Sequence, residues 1–215
     1  MDALTPDETC AMFVHVARRI EESKDELTDA DRATGDGDHG VVMARGFGAV
    51  RVRLEGGGFE TAGDVVRAVG RELLSSMGGA SGVLFATFFS AGATDGATFD
   101  ADALRRLLVD GSAAVQARGK AARGDKTMLD ALAPAAEKAL ELPQASLSAL
   151  LLAATEAARG GVEQTTEMVA RRGKAKALGE RSRGHADPGA LSSYLILRAM
   201  AEYVSAGPDP DVDAR

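Results

Sequence analysis

"VRVRL", residues 50–54, decides the fold class of this chain. Taken alone, the five residues alternate apolar and charged side chains as a half-buried strand would. Taken within "HGVVMARGFGAVRVRLEGGG" (39–58), they belong to a longer pattern in which Met43, Phe47, Val50 and Leu54 recur every three or four residues. That is the period of an amphipathic helix, and the glycine triplet at 56–58 marks its end. The stretch is therefore predicted as helix, and with it goes the best strand candidate in the chain.

The same periodicity extends in both directions. Upstream, "TPDETCAMFVHVARRI" (5–20) starts a first helix, with Thr5 as N-cap, Pro6 at the first helical position and Glu8 completing a capping box. Phe13, Val16, Ala17 and Ile20 form its inward stripe, which runs to Leu27. Downstream, Thr61 caps a third helix through Val66, Val69 and Leu73, and "GVLFATFFSAGA" (82–93) is an apolar fourth. A fifth begins near Asp100, a sixth carries Leu129, Leu132 and Leu140, and Ser146 caps a seventh predicted to run through Ala170. An eighth covers about 190–204, and the tail "AGPDPDVDAR" is expected to fray. Eight helices with short joints imply an all-α domain over residues 1–215. If neighbours run antiparallel, the joints after the first, third, fifth and seventh helices share one end. These are "GDGDHG" (35–40), "MGGASG" (77–82), "ARGKAARGDKT" (117–127) and the Gly-rich basic stretch 171–189, so the unusual loops are expected on one rim.

Composition narrows the function. Hydrophobic residues make up 45% of the 215, enough for a core, but only 4% are aromatic and there is no Trp, so Ala, Leu and Val must fill the interior. Thirty-two acidic against 25 basic residues give a net charge of -7, and no basic arm is long enough to neutralise a run of phosphates, which argues against nucleic-acid binding. The most apolar window is shorter than the ~20 residues a membrane span needs. No secretory signal is visible at the N-terminus, and the single cysteine, Cys10, can form neither an internal disulfide nor a zinc cluster. A cytoplasmic location is expected.

The joints carry the chemistry. In "DADRATGDGDHG" (29–40), Asp31, Asp36 and Asp38 stand at offsets 0, 5 and 7, separated by glycines that let the backbone turn sharply. Three carboxylates drawn together would repel one another without a cation, and an all-oxygen set with few protein donors suits Mg²⁺. A solvated Asp/Gly turn satisfies the same residues. An EF-hand does not, because position 12 counted from Asp36 is Phe47 rather than Glu. His39 has no histidine at a paired spacing to make a zinc site. "GGASG" (78–82) ahead of an apolar helix can receive phosphate oxygens on backbone N–H groups, or be a tight turn. "GKAARGDKT" (119–127) misses the Walker A pattern by one residue, Asp125, and lacks a preceding strand, so Lys126 is read as a solvated lysine or a rim contact. The basic residues between Arg171 and Arg183 form a solvated face, or supply one or two partners to a diphosphate.

In order and spacing, "GDGDHG", "GGASGVLFATFF", "RGKAARGDKTMLDALAP" and "LGERSRGHADPGA" closely resemble the nucleotide-binding L subunit, or L domain, of dihydroxyacetone kinases. The resemblance implies an antiparallel eight-helix barrel with ADP or ATP and two Mg²⁺ on its rim. It assigns Asp31, Asp36 and Asp38 to the metals. His39, Gly40, Val41, Val42, Ala80, Ser81, Gly119, Met128, Lys174, Asp187, Pro188 and Gly189 fall at nucleotide-contact positions, with Met128 against the adenine. Two residues depart from the family pattern: Lys174 stands where several relatives have Arg, and Val42 where Asn is often found. The resemblance further implies a separate K subunit carrying the hydroxyketone, and a phosphoryl donor that is either a phosphotransferase-system protein acting on bound ADP or exchanging ATP. The alternatives it leaves are another short ketose such as erythrulose as acceptor, or a nucleotide-loaded regulator of a transcription factor.

Overall fold

The structure, a computed structural model, describes residues 2–207, so the expected fraying of the tail falls, from residue 208 onward, outside the described residues. All eight expected helices are present, and the first is broken in two. Helix α1 spans Pro6–Glu22 and α2 spans Lys24–Thr34, followed by α3 (His39–Glu55), α4 (Ala62–Ser76), α5 (Gly79–Gly92), α6 (Ala101–Gly119), α7 (Leu129–Glu141), α8 (Leu147–Thr165) and α9 (Pro188–Ala206). "VRVRL" is helical within α3. The capping box at Thr5 and Glu8 is formed, and Thr61, Asp100 and Ser146 each accept the N–H three residues on.

Helices α1, α3, α4, α5, α6, α7, α8 and α9 pack in that order, and α9 returns to α1, which closes a ring of eight. Helix α2 lies outside the ring against α3 and supplies the rim. The break between α1 and α2 falls at Ser23, whose N–H still bonds to the carbonyl of Arg19; the chain turns there so that α2 can leave the ring. Helix α8 stops at Thr165 rather than Ala170, and residues 166–187 follow as turns with a 3-10 segment over Lys174–Ser182. One further element was not expected: Ala3–Leu4 (β1) pairs antiparallel with Phe99–Asp100 (β2), carrying Leu4 and Phe99 into the core.

Small residues let the helices approach closely. Four phenylalanines gather at one place, where Phe13 meets Phe89 and Phe99 edge-on at 5.7 and 6.4 Å and Phe88 meets Phe89 at 5.2 Å. Elsewhere glycine sets the spacing. Pro134, inside α7, cannot donate to the carbonyl of Asp130, and Gly161 of α8 sits directly over that oxygen, 1.9 Å from where a Cβ would stand. Among the described residues no helix is long and apolar enough to cross a membrane.

Gly161→Ala should therefore push α7 and α8 apart and cost about 1–3 kcal/mol in urea unfolding. At its neighbour Gly160 an added methyl meets open space. Gly160→Ala should instead gain up to about 1 kcal/mol from helix propensity. Equal effects of the two substitutions would refute the close-approach account.

Candidate functional site

Ring closure with alternating helix direction brings four joints to one end, and they line a single large cavity of about 810 Å³. That volume lies in the range of small-molecule and cofactor sites. Its walls come from the α2–α3, α4–α5, α6–α7 and α8–α9 joints, the four that the sequence pattern assigned to a common rim.

The acidic side is built around Asp31, in the last turn of α2 and only 6% exposed. Its Oδ2 accepts the backbone N–H of Asp38 at 3.0 Å and of His39 at 3.2 Å. One carboxylate thus satisfies the first free N–H groups of α3 and fixes the angle between α2 and α3. Glycine is required on both sides of the turn. A Cβ on Gly35 would stand 2.1 Å from Asp31 Oδ1, and Gly37 adopts φ +76°. Asp36 and Asp38 are exposed, and one oxygen from each of the three aspartates lies within 4.8 Å of the others.

Three carboxylates this close need a positive charge, and within the chain Lys174 supplies it. Its Nζ lies 2.6 and 2.5 Å from the two oxygens of Asp36 and 3.6 Å from Asp38 Oδ1. The hydrogen bond from Lys174 holds the Asp36 carboxyl below the usual range, and the same bond raises the Lys174 ammonium. The donor set, all hard oxygen on a turn that glycine keeps open beside Asp31, fits a small divalent cation such as Mg²⁺.

His39 is 6% exposed, and its ring joins two hydroxyls: Nε2 lies 2.7 Å from Ser192 Oγ and Nδ1 3.4 Å from Ser81 Oγ. Burial lowers its pKa, which favours the neutral imidazole. It therefore acts as a hydrogen-bonding strut between α3, α5 and α9. The α5 N-terminus at Gly78–Ser81 has no side-chain cap and opens onto the cavity, so its N–H groups and dipole face the space where an anion would lie. Asp187 caps α9, its Oδ2 accepting the N–H of Ala190 at 2.8 Å. Although the residue as a whole is half-buried, its carboxyl is enclosed, and burial pushes it up to about 7.

Of the residues singled out from sequence, Asp31, Asp38, His39, Val41, Val42, Ala80, Ser81, Gly119, Met128, Lys174, Asp187, Pro188 and Gly189 line this cavity. Gly40 stands behind it, where a Cβ would come within 2.0 Å of the carbonyl of Lys24, and its role is close packing of α3 on α2. Asp36 joins through the carboxylate cluster rather than the wall. Lys126 lines the cavity as well, so of its two expected roles the rim contact stands and the solvated lysine does not: it is 1% exposed, with its ammonium on backbone carbonyls. Sequence reasoning missed Arg45, Arg118 and the apolar wall of Leu84, Phe85, Val115 and Leu129. Arg45 lies one turn beyond Val41 and Val42 on α3, where helical spacing from the motif residues would have found it; Arg118 immediately precedes Gly119 and carries no such signal.

Residues 33–202 match the family model described as the DAK2 domain. The chain is 42% identical over 180 residues to the ADP-binding subunit of the PEP-dependent dihydroxyacetone kinase of Escherichia coli (strain K12), covering 81% of this chain and 86% of that protein. It is 36% identical over 203 residues to the ADP-binding subunit of the PTS-dependent dihydroxyacetone kinase of Lactococcus lactis subsp. lactis (strain IL1403), covering 94% of this chain and all of that one. Among solved structures, the dihydroxyacetone kinase from C. freundii in complex with AMP-PNP and Mg2+ superposes with a TM-score of 0.68 at 28% identity. That match covers 90% of this chain, which spans only 33% of the longer one.

The raised Asp187 carboxyl has a measurable consequence. Between about pH 4 and pH 7 the folded chain keeps a proton that the unfolded chain releases, so Asp187 lowers stability progressively as pH rises through that window. Asp187→Asn keeps an N-capping side chain and removes the titration. Urea midpoints of the variant should fall less steeply than those of the wild type from pH 4 to 7, and parallel curves would rule out the enclosed carboxyl.

Proposed function

Because the chain belongs to the DAK2 domain family, we propose that it is the nucleotide- and magnesium-binding subunit of a dihydroxyacetone kinase. The observation that carries this reading is the meeting of Asp31, Asp36 and Asp38 beside a cavity of nucleotide size whose lining also includes the apolar Leu84, Phe85, Val115 and Leu129. The names of the E. coli and L. lactis relatives, both ADP-binding subunits, support it.

In this reading the three aspartates hold two Mg²⁺, which, when bound, neutralise charge on the phosphates and on the group in transfer. The chain's own residues position the nucleotide. The open N-terminus of α5 offers N–H groups to phosphate oxygens, with Ser81 in its first turn. Met128, Leu84 and Val115 supply an apolar bed for the adenine. Lys174 contributes a compact charge rather than the planar fork an arginine would present, so its phosphate contact is electrostatic and not bidentate. His39, neutral and held by two hydroxyls, orients rather than transfers protons.

Phosphoryl transfer asks the protein mainly for alignment and charge stabilisation. The hydroxyketone is held by a separate K subunit docking over the rim, and bound ADP is rephosphorylated in place by a phosphotransferase-system protein. The names PEP-dependent and PTS-dependent among the relatives favour that donor over exchanging ATP.

Mass spectrometry of the purified chain under native conditions should find ADP and two Mg²⁺ bound. Asp36→Ala should lose both while keeping the helical circular dichroism, because Asp36 lies exposed on a joint. Unchanged retention would sink the metal assignment. The chain alone should form no triose phosphate from dihydroxyacetone; turnover without a K partner would overturn the division of labour.

A further inference from the structure

Residues 166–187 bridge α8 and α9 and carry Arg172, Lys174 and the start of α9 onto the cavity. Among the described residues of this segment, the only buried apolar side chains are Ala170 and Ala175. Hydrophobic burial cannot hold so long a connection with two methyl groups, so its shape must come from polar bonds.

Those bonds converge on Lys126, in the α6–α7 joint. Its Nζ donates to the carbonyls of Thr165 (2.7 Å), Ser182 (2.7 Å) and His185 (2.6 Å), with Met168 at 3.3 Å. An ammonium has three protons, so the three short bonds use them all and Met168 shares one. No acidic side chain lies within ion-pair distance of it among the described residues; its hydrogen bonds all go to carbonyls, and the field of the Asp187 carboxylate adds to theirs. Thr165 and Met168 stand at the entrance of the segment and Ser182 and His185 at its exit, so one side chain draws the two ends together. Lys126 has φ +62°, in the left-handed region a lysine rarely adopts, which turns its side chain inward. Neighbouring bonds reinforce the closure: Gly184 N donates to the carbonyl of Thr166 at 2.7 Å, Ala170 N to Ser182 Oγ at 2.9 Å, and Arg171 N to the carbonyl of Asp125 at 3.1 Å.

We propose that Lys126 is a positioning residue, a buried clamp that holds the 166–187 segment over the cavity so that Arg172, Lys174 and the N-terminus of α9 meet the nucleotide. With every proton committed inward, Lys126 is not itself a phosphate ligand. The role rests on the nucleotide-binding function proposed above, while the clamp itself can be tested without it.

Lys126→Met removes the ammonium and keeps a straight apolar chain. Hydrogen exchange should show protection lost across 166–187 and kept in α1 to α7. The fluorescent analogue N-methylanthraniloyl-ADP, bound with Mg²⁺ and chased with ADP, should leave at least about tenfold faster, as expected when charged hydrogen bonds at a binding surface are broken. Mn²⁺ binding without nucleotide, followed by electron paramagnetic resonance, should persist, because the aspartate turn does not touch Lys126. Lys126→Arg, which restores a cation, should recover part of the slow release. Wild-type exchange and wild-type release in the Met variant would overturn the proposal, as would loss of Mn²⁺ binding together with the nucleotide, which signals general collapse. If the Met variant fails to fold, acetylation of the wild type decides: Lys126 should react only as fast as 166–187 opens, whereas reaction as fast as exposed Lys24 would overturn the clamp. If the wild type binds no nucleotide analogue at all, it is the proposed function that fails, and the exchange data still judge the clamp.

Discussion

The packing of α9 against α1 is the constraint on which the site depends. Short joints between consecutive packed helices make their directions alternate, so every second joint falls at the same end, and the return of the eighth ring helix to the first gathers those joints around one mouth. The closure is fastened at its surface by Glu202, which takes Arg19 at 3.0 Å and Arg198 at 2.8 Å. Ion pairs of this exposure contribute little individually, so the apolar stripe through Val16 and Ile20 carries the closure energetically. An open bundle of the same helices would scatter the joints, and a three-carboxylate turn would stand alone instead of at the wall of a cavity.

The ring is held by apolar burial, but the rim cannot be, because its joints are short of hydrophobic side chains and rich in unpaired backbone groups. The chain solves this repeatedly in one way, by placing a charged side chain on backbone N–H or carbonyl groups. Asp31 takes two N–H groups of the α2–α3 joint. Asp130 takes those of Gly124 and Thr127 at 2.5 and 2.8 Å. Lys126 does the converse with carbonyls, and Asp187 caps α9. Charge-assisted bonds to backbone are the stronger class and are directional, so each joint is fixed in shape as well as in place. The cost is desolvation, visible in the lowered Lys126 ammonium and the raised Asp187 carboxyl.

What the sequence made legible follows the same division. The helices were legible because their signals are local: Thr5, Thr61 and Ser146 cap within three residues, and the stripe in α3 outweighs five alternating residues. The common rim was legible because it follows from helix count and short joints. The break at Ser23 was not, since serine is no helix breaker and the turn is dictated by α2 packing on α3. The end of α8 was overextended by five residues because Met168 and Val169 continue an apolar pattern, while the carbonyls of Thr165 and Met168 are claimed by a lysine 39 and 42 residues away. The burial of Lys126 was illegible for the same reason. Its partners are main-chain oxygens, which leave no residue-type signature. The resemblance to the L subunit of dihydroxyacetone kinases, by contrast, reaches such positions through motif order, and the family match agrees with it.

Two lysines of the rim illustrate how charge divides between structure and function. Lys126 makes all its hydrogen bonds to neutral carbonyls, with the Asp187 carboxylate acting on it only through its field, and those bonds are short and buried. Lys174 is exposed and faces carboxylates, whose attraction for a doubly charged ion exceeds that for an ammonium at equal distance. The second lysine can therefore be exchanged where the first cannot. Both meet on one segment, since Lys126 grips residues 165–185 from inside while Lys174, on the same stretch, reaches outward to Asp36. In the function proposed above, a cation taken up by the aspartates would release Lys174 from Asp36 while the inner grip kept the segment in place. The freed ammonium would then stand at the edge of the cavity, so that cation binding and a new positive charge for phosphates would be one electrostatic exchange across the α2–α3 turn.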